Sequence, residues 1–133
     1  MAGVTIYEID GGEFSTLEEF FEEFGRAVIP GFQWGRNLDA LDDVLYGGFG
    51  TPDEGFVLRW KNHDLSRQRL GYPETVRQLE KRCHPTNRDS VRRELQLASE
   101  GEGPTVYQWL AEIITGHGPG GEDPDHIVKL ELV

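Results

Sequence analysis

An α/β fold, with a three-stranded parallel sheet packed with helices, is what this sequence predicts, on three observations. Short runs rich in β-branched and apolar residues occur at 4–9, 56–60 and 126–133. The intervals between them repeat their apolar residues at helical spacing, and each is long enough for the crossover that parallel strands require. Right-handed crossovers then lay the helices against the sheet. The chain of 133 residues is expected to form a single domain over 1–133, large enough for a hydrophobic core without disulfide staples.

The first strand, VTIYEID, alternates Val4, Ile6 and Glu8 against Thr5, Tyr7 and Ile9. Asp10-Gly11-Gly12 ends it in a turn. Ser15 or Thr16 is placed to cap a helix with Glu18 and Glu19 in its first turn, and Leu17, Phe20, Phe21 and Phe24 recur along it as a core stripe. Pro30-Gly31 breaks the chain. Asn37 caps a second helix, because its side-chain oxygen can accept from the free amides of the first turn, and Leu38, Leu41, Val44 and Leu45 share the face that enters the core. Tyr46-Gly47-Gly48-Phe49-Gly50 closes that helix, and it has neither the lysine nor the following Ser or Thr of a phosphate loop.

FVLRW, at 56–60, is mostly apolar and is expected in the sheet interior. Residues 62–70 read as a short helix capped by Asn62. Two more amphipathic segments follow, an extra helical insertion near residues 72–103. They are marked by Val76, Leu79 and Cys83 and, past the break at Pro85, by Val91, Leu95 and Ala98. After a glycine joint at 101–103, Thr105 caps a last helix with Val106, Trp109, Leu110 and Ile113 on its stripe. The loop GHGPGGEDPD, 116–125, precedes the closing strand.

The net charge is −11, and the first 55 residues carry 12 acidic and 2 basic side chains, so nearly all of the excess lies there. Such a field repels nucleic acid and membrane surfaces and favours a basic partner. The plainer alternative is that the acidity serves solubility. From Arg59 to Arg93 there are 10 basic and 4 acidic residues, but aromatic side chains do not alternate with these charges as a stacking surface requires; a solvated face is the expectation. With no secretory pattern in MAGVTIYEIDGG, no run approaching about 18 apolar residues and one cysteine, the chain is expected to be reduced, soluble and cytoplasmic.

Asp39, Asp42 and Asp43 combined with His63, His84, His117 or His126 show no recognised ligand spacing, so neither a metal nor another cofactor is expected. No GxSxG or supported Cys–His pairing marks a nucleophile, and Cys83 falls on an apolar stripe where an inert buried thiol is expected. Nothing in the residues argues for an enzyme.

The acidic helix is the distinctive feature. Asp39, Asp42 and Asp43 lie at i, i+3 and i+4 opposite the apolar face, where like charges repel by about 0.2–0.5 kcal/mol per pair. The helix dipole accounts for Asp39 but not for Asp42 and Asp43, which lie beyond the first turn. They belong either to a solvated face or to a surface kept for a partner.

Residues 34–45, WGRNLDALDDVL, resemble the aromatic-Gly-x-Asn-Leu-Asp-Ala-Leu-x-Asp segment of the barstar family, intracellular inhibitors of secreted guanyl-specific ribonucleases such as barnase. The order of elements around the segment resembles the family over 4–70 and 105–133, with the insertion at 72–103 having no counterpart. The resemblance implies a barstar-like fold and an inhibitor that sets this helix and its preceding loop into the ribonuclease's phosphate-binding cleft. Carboxylates there take the place of RNA phosphates against arginines, lysine and histidine. It implies Asp43 in the catalytic phosphate pocket, Asp39 as a second contact, Gly35 and Asn37 at the helix start, and Glu112 reaching a basic residue at the cleft rim. Gln33, Trp34, Leu38 and Asp42 complete the implied partner-binding set. Gln33 and Asp42 stand where the family has tyrosine and tryptophan, which implies a related ribonuclease other than barnase. The alternatives are an antitoxin or immunity protein for another cationic effector, and a metal-dependent phosphoesterase built on Asp39, Asp42 and Asp43.

Overall fold

The computed structural model describes residues 4–82, 86, 88–121 and 125–133. Its strands pair in chain order: β1 (Ile6–Asp10) lies beside β2 (Gly55–Lys61), and β2 beside β3 (Ile127–Leu132), parallel in both cases. Between them, among the described residues, run a 3-10 turn (Gly11–Glu13) and six helices: α1 (Leu17–Val28), α2 (Leu38–Tyr46), α3 (His63–Arg69), α4 (Tyr72–Arg82), α5 (Arg88–Ser99) and α6 (Val106–Thr115). The fold class, the parallel pairing and the central place of FVLRW are as the sequence predicts.

Strand alternation divides the sheet into two unlike faces. Ile9, Phe56, Leu58, Trp60 and Val128 are buried against the helices. On the other face Val4 and Ile6 are exposed, and Arg59 reaches across all three strands to Glu131 (2.7 Å) and Glu8 (3.6 Å), its partners in the sheet register. A parallel sheet is normally covered on both faces; here an ion triad occupies part of the second. Gly55 starts β2 at φ +105°, and a β-carbon on it would stand 1.9 Å from the Ile127 carbonyl oxygen, so only glycine allows β3 to approach there.

Thr16 caps α1 by accepting from the Glu19 amide at 3.1 Å, and Leu17, Phe20, Phe21 and Phe24 all enter the core. The Phe20 ring packs against Phe14 and Trp60 at 5.4 Å. On α6 the buried stripe is Val106, Tyr107, Leu110 and Ile114; Trp109 and Ile113, assigned to the core by spacing, are half-buried flanks. Trp109 packs against the main core and also against a second small cluster, Leu79, Val91 and Ala98, that holds α4 and α5 together. Asn62 sits in the left-handed region (φ +54°) with no side-chain cap on α3, and its amide donates to Asp10 instead (2.7 Å). Cys83, His84 and Pro85 lie outside the described residues, so the reading of Cys83 as a buried thiol does too.

α4 is tied to the start of α1 by carboxylates. Buried Glu74 accepts from the Leu17 amide (2.9 Å), from Arg77 and from Gln78. Burial alone would raise the Glu18 carboxyl, but donation from Gln78, Lys81 and Arg77 outweighs it and holds the group at about 2, below its ordinary 4.5. A depressed carboxyl contributes stability that is complete above its unfolded range and lost as the pH falls through the folded value. Discounted for half-exposure, that contribution is on the order of 1 kcal/mol. Glu18→Gln is accordingly expected to flatten the fall in stability between pH 4.5 and about 2, read as the urea midpoint against pH.

Candidate functional site

The loop entering α2 is anchored before it is exposed. The Trp34 ring is half-buried between Phe21 and Phe24 of α1, each at 5.7 Å, and its indole nitrogen lies 2.9 Å from where a Gly25 β-carbon would be. Gly35 passes so near the helix start that a β-carbon would meet the Ala40 methyl at 3.0 Å. Arg36 then takes a left-handed conformation (φ +52°), which costs a non-glycine residue about 1 kcal/mol and turns the chain into the helix. Asn37 closes the turn by accepting from the Ala40 amide at 2.7 Å, as its position predicts. Asn37→Ala is expected to cost about 1 kcal/mol of stability in chemical denaturation.

Along α2, Leu41, Val44 and Leu45 are fully buried, while Leu38, assigned to the same face, is half-buried. Leu38 lines a groove of about 360 Å³ with Leu79, Leu97 and Trp109, between α2 and the α4–α5 pair. Asp39 and Asp43, one turn apart, are exposed. Asp42 differs. Its carboxylate lies 2.6 Å from Nε2 of His117, a buried side chain just past α6, and the His117 ring meets Tyr46 edge-on at 4.5 Å. The three aspartates are therefore two free carboxylates and one that ties α2 to the chain beyond α6. Gln33 is exposed at the loop, and Glu112 is exposed on α6, which packs beside α2. Sequence spacing carried no signal for His117, which is 75 residues from Asp42.

Among the described residues, no three His, Cys, Asp or Glu side chains are grouped to hold a metal ion, and no helix is long and apolar enough to cross a membrane. What the arrangement offers chemically is negative charge on a rigid scaffold. Both free carboxylates stand on a helix fixed by three core side chains, preceded by a loop held by an indole.

The family described as barstar (barnase inhibitor) matches residues 4–100. The chain belongs to the barstar family. No curated protein matches it. The matched span runs from β1 through α5, so it includes most of the 72–103 stretch that the motif comparison set apart, and it stops before α6 and β3. It contains the whole of α2 and its loop. A barnase-inhibitor role of a general kind goes with the barstar family, as does action by binding rather than by catalysis.

Proposed function

We propose that this barstar-family protein inhibits a secreted, basic, guanyl-specific ribonuclease of barnase-like kind by filling its active-site cleft with α2. The observation that carries this reading is the pair of exposed carboxylates, Asp39 and Asp43, on the outward face of a helix whose other face is locked into the core. Such a surface needs little ordering on binding, which favours affinity. Asp43 occupies the pocket that would hold the scissile phosphate, Asp39 meets a second cationic group, and Glu112 reaches the rim from α6. Gln33, Gly35 and Asn37 contact the partner at the helix start, and Trp34 and Leu38 shape that surface from partly buried positions. Charge-assisted bonds from arginine to carboxylate are strong and directional in a water-poor cleft whose groups are all satisfied. The acidic first 55 residues add long-range attraction to a basic enzyme. Action in the cytoplasm, on enzyme not yet exported, completes the proposal.

The test is inhibition of RNA cleavage by a panel of secreted guanyl-specific ribonucleases, with the protein titrated at low and high salt. Stoichiometric inhibition that weakens with salt is expected, because ions screen exposed charge. No inhibition across the panel would overturn the ribonuclease reading and direct the search to another cationic effector.

A further inference from the structure

Past the C-terminal end of α2, two buried polar atoms have no hydrogen-bond partner among the described residues: Oγ1 of Thr51 and Nε2 of His126. Thr51 is 8% exposed and His126 7%, and both line one small pocket of about 190 Å³ together with Gly47, Gly48, Asp53 and Asp125. Leaving a buried polar atom unsatisfied costs about 1–3 kcal/mol, so two on one pocket wall call for a ligand that answers both.

The chemistry of that ligand follows from the tautomer. Nδ1 of His126 lies 2.8 Å from the Asp53 carbonyl oxygen, which can only accept, so Nδ1 carries a proton, and in the neutral ring Nε2 presents a lone pair. The Thr51 hydroxyl can accept as well. Asp53 and Asp125 are among the lining residues, no lysine or arginine lines the pocket among the described residues, and the last turn of α2 adds the negative end of its dipole. Every feature asks for a positively charged donor of N–H bonds. A divalent metal fits less well, because no three ligating side chains converge there among the described residues. The volume is below that of pockets for drug-sized molecules and suits a head group.

We propose that this pocket binds a guanidinium or primary ammonium group, which donates to His126 Nε2 and Thr51 Oγ1 under the field of Asp53 and Asp125. The proposal does not depend on ribonuclease inhibition. The probe is methylguanidinium chloride, followed through the His126 ring resonances by NMR at neutral pH, with sodium chloride at equal ionic strength as the control. The expected result is a saturable shift specific to the organic cation. Thr51→Val, which keeps the side-chain shape, is expected to weaken binding at least tenfold while leaving the melting temperature near that of the parent. A response that sodium chloride reproduces, one that never saturates, or equal binding by Thr51→Val would overturn the proposal. The source of the cation is decided in the same system. If saturating methylguanidinium lowers ribonuclease inhibition beyond the salt control, the pocket takes a side chain of the partner; if inhibition is untouched, it takes a free small molecule.

Discussion

Asp43→Ala is expected to weaken binding to the cognate ribonuclease by about 2–5 kcal/mol, from about thirtyfold to several thousandfold, since truncation leaves the facing cations desolvated and unpaired. That range is typical of truncating one partner of a buried, hydrogen-bonded charge pair across a protein interface. The protein's own stability should move by no more than about 0.5 kcal/mol, because the Asp43 side chain is exposed and no core contact is lost. Calorimetric titration against the inhibited enzyme, paired with a thermal melt of each free variant, separates the two effects. Asp43→Asn, which keeps the shape and removes the charge, should recover little affinity. Asp42→Ala should weaken binding less than Asp43→Ala and destabilise the free protein more, because Asp42 is already engaged by His117. Full affinity in Asp43→Ala would remove α2 as the inhibitory element, whatever the protein inhibits.

The largest effect on stability is expected at Trp60. Its ring is wholly buried on the inner face near the C-terminal end of the central strand, 5.4 Å from Phe20 and 5.3 Å from Tyr107, and its indole N–H donates to Ser66 Oγ at 2.9 Å. Trp60→Ala opens a cavity where α1, α3 and α6 meet and strands the Ser66 hydroxyl, at a cost of about 3–5 kcal/mol. Against a typical total of about 5–15 kcal/mol this is enough to leave a substantial unfolded fraction at 37 °C. Trp60→Phe keeps most of the ring packing and should lose about half as much. Urea denaturation followed by far-UV circular dichroism measures both, and a loss below about 1 kcal/mol in Trp60→Ala would mean that the ring is not the keystone of this core.

What the sequence could say was set by how local each cause is. Asn37 and Thr105 announce their caps because the accepting oxygen and the donating amide are three residues apart. The phenylalanine stripe of α1 and the parallel crossovers follow from periodicity and spacing in the same way. Periodicity names a face but not all its neighbours: Trp109 and Leu38 do pack on the core, but Trp109 also meets α4 and α5, and Leu38 also borders a groove. The indole of Trp34 between two phenylalanines, the His117–Asp42 tie and the unanswered atoms of Thr51 and His126 all depend on which distant segments meet. The acidic helix was visible in the residues; which of its carboxylates are free was not.

The ion triad on the outer face of the sheet has a bearing on time as well as on structure. Arg59 and Glu131 are 72 residues apart, and β2 reaches β3 only after α3, α4, α5 and α6 have been laid down between them. Pairings that distant in sequence must close a large loop before any contact rewards the lost freedom, which slows folding relative to a chain of local contacts. The tie that holds Asp42 comes from the same late part of the chain. A partly folded molecule therefore has its acidic helix spelled out before the contacts that fix it in place are made.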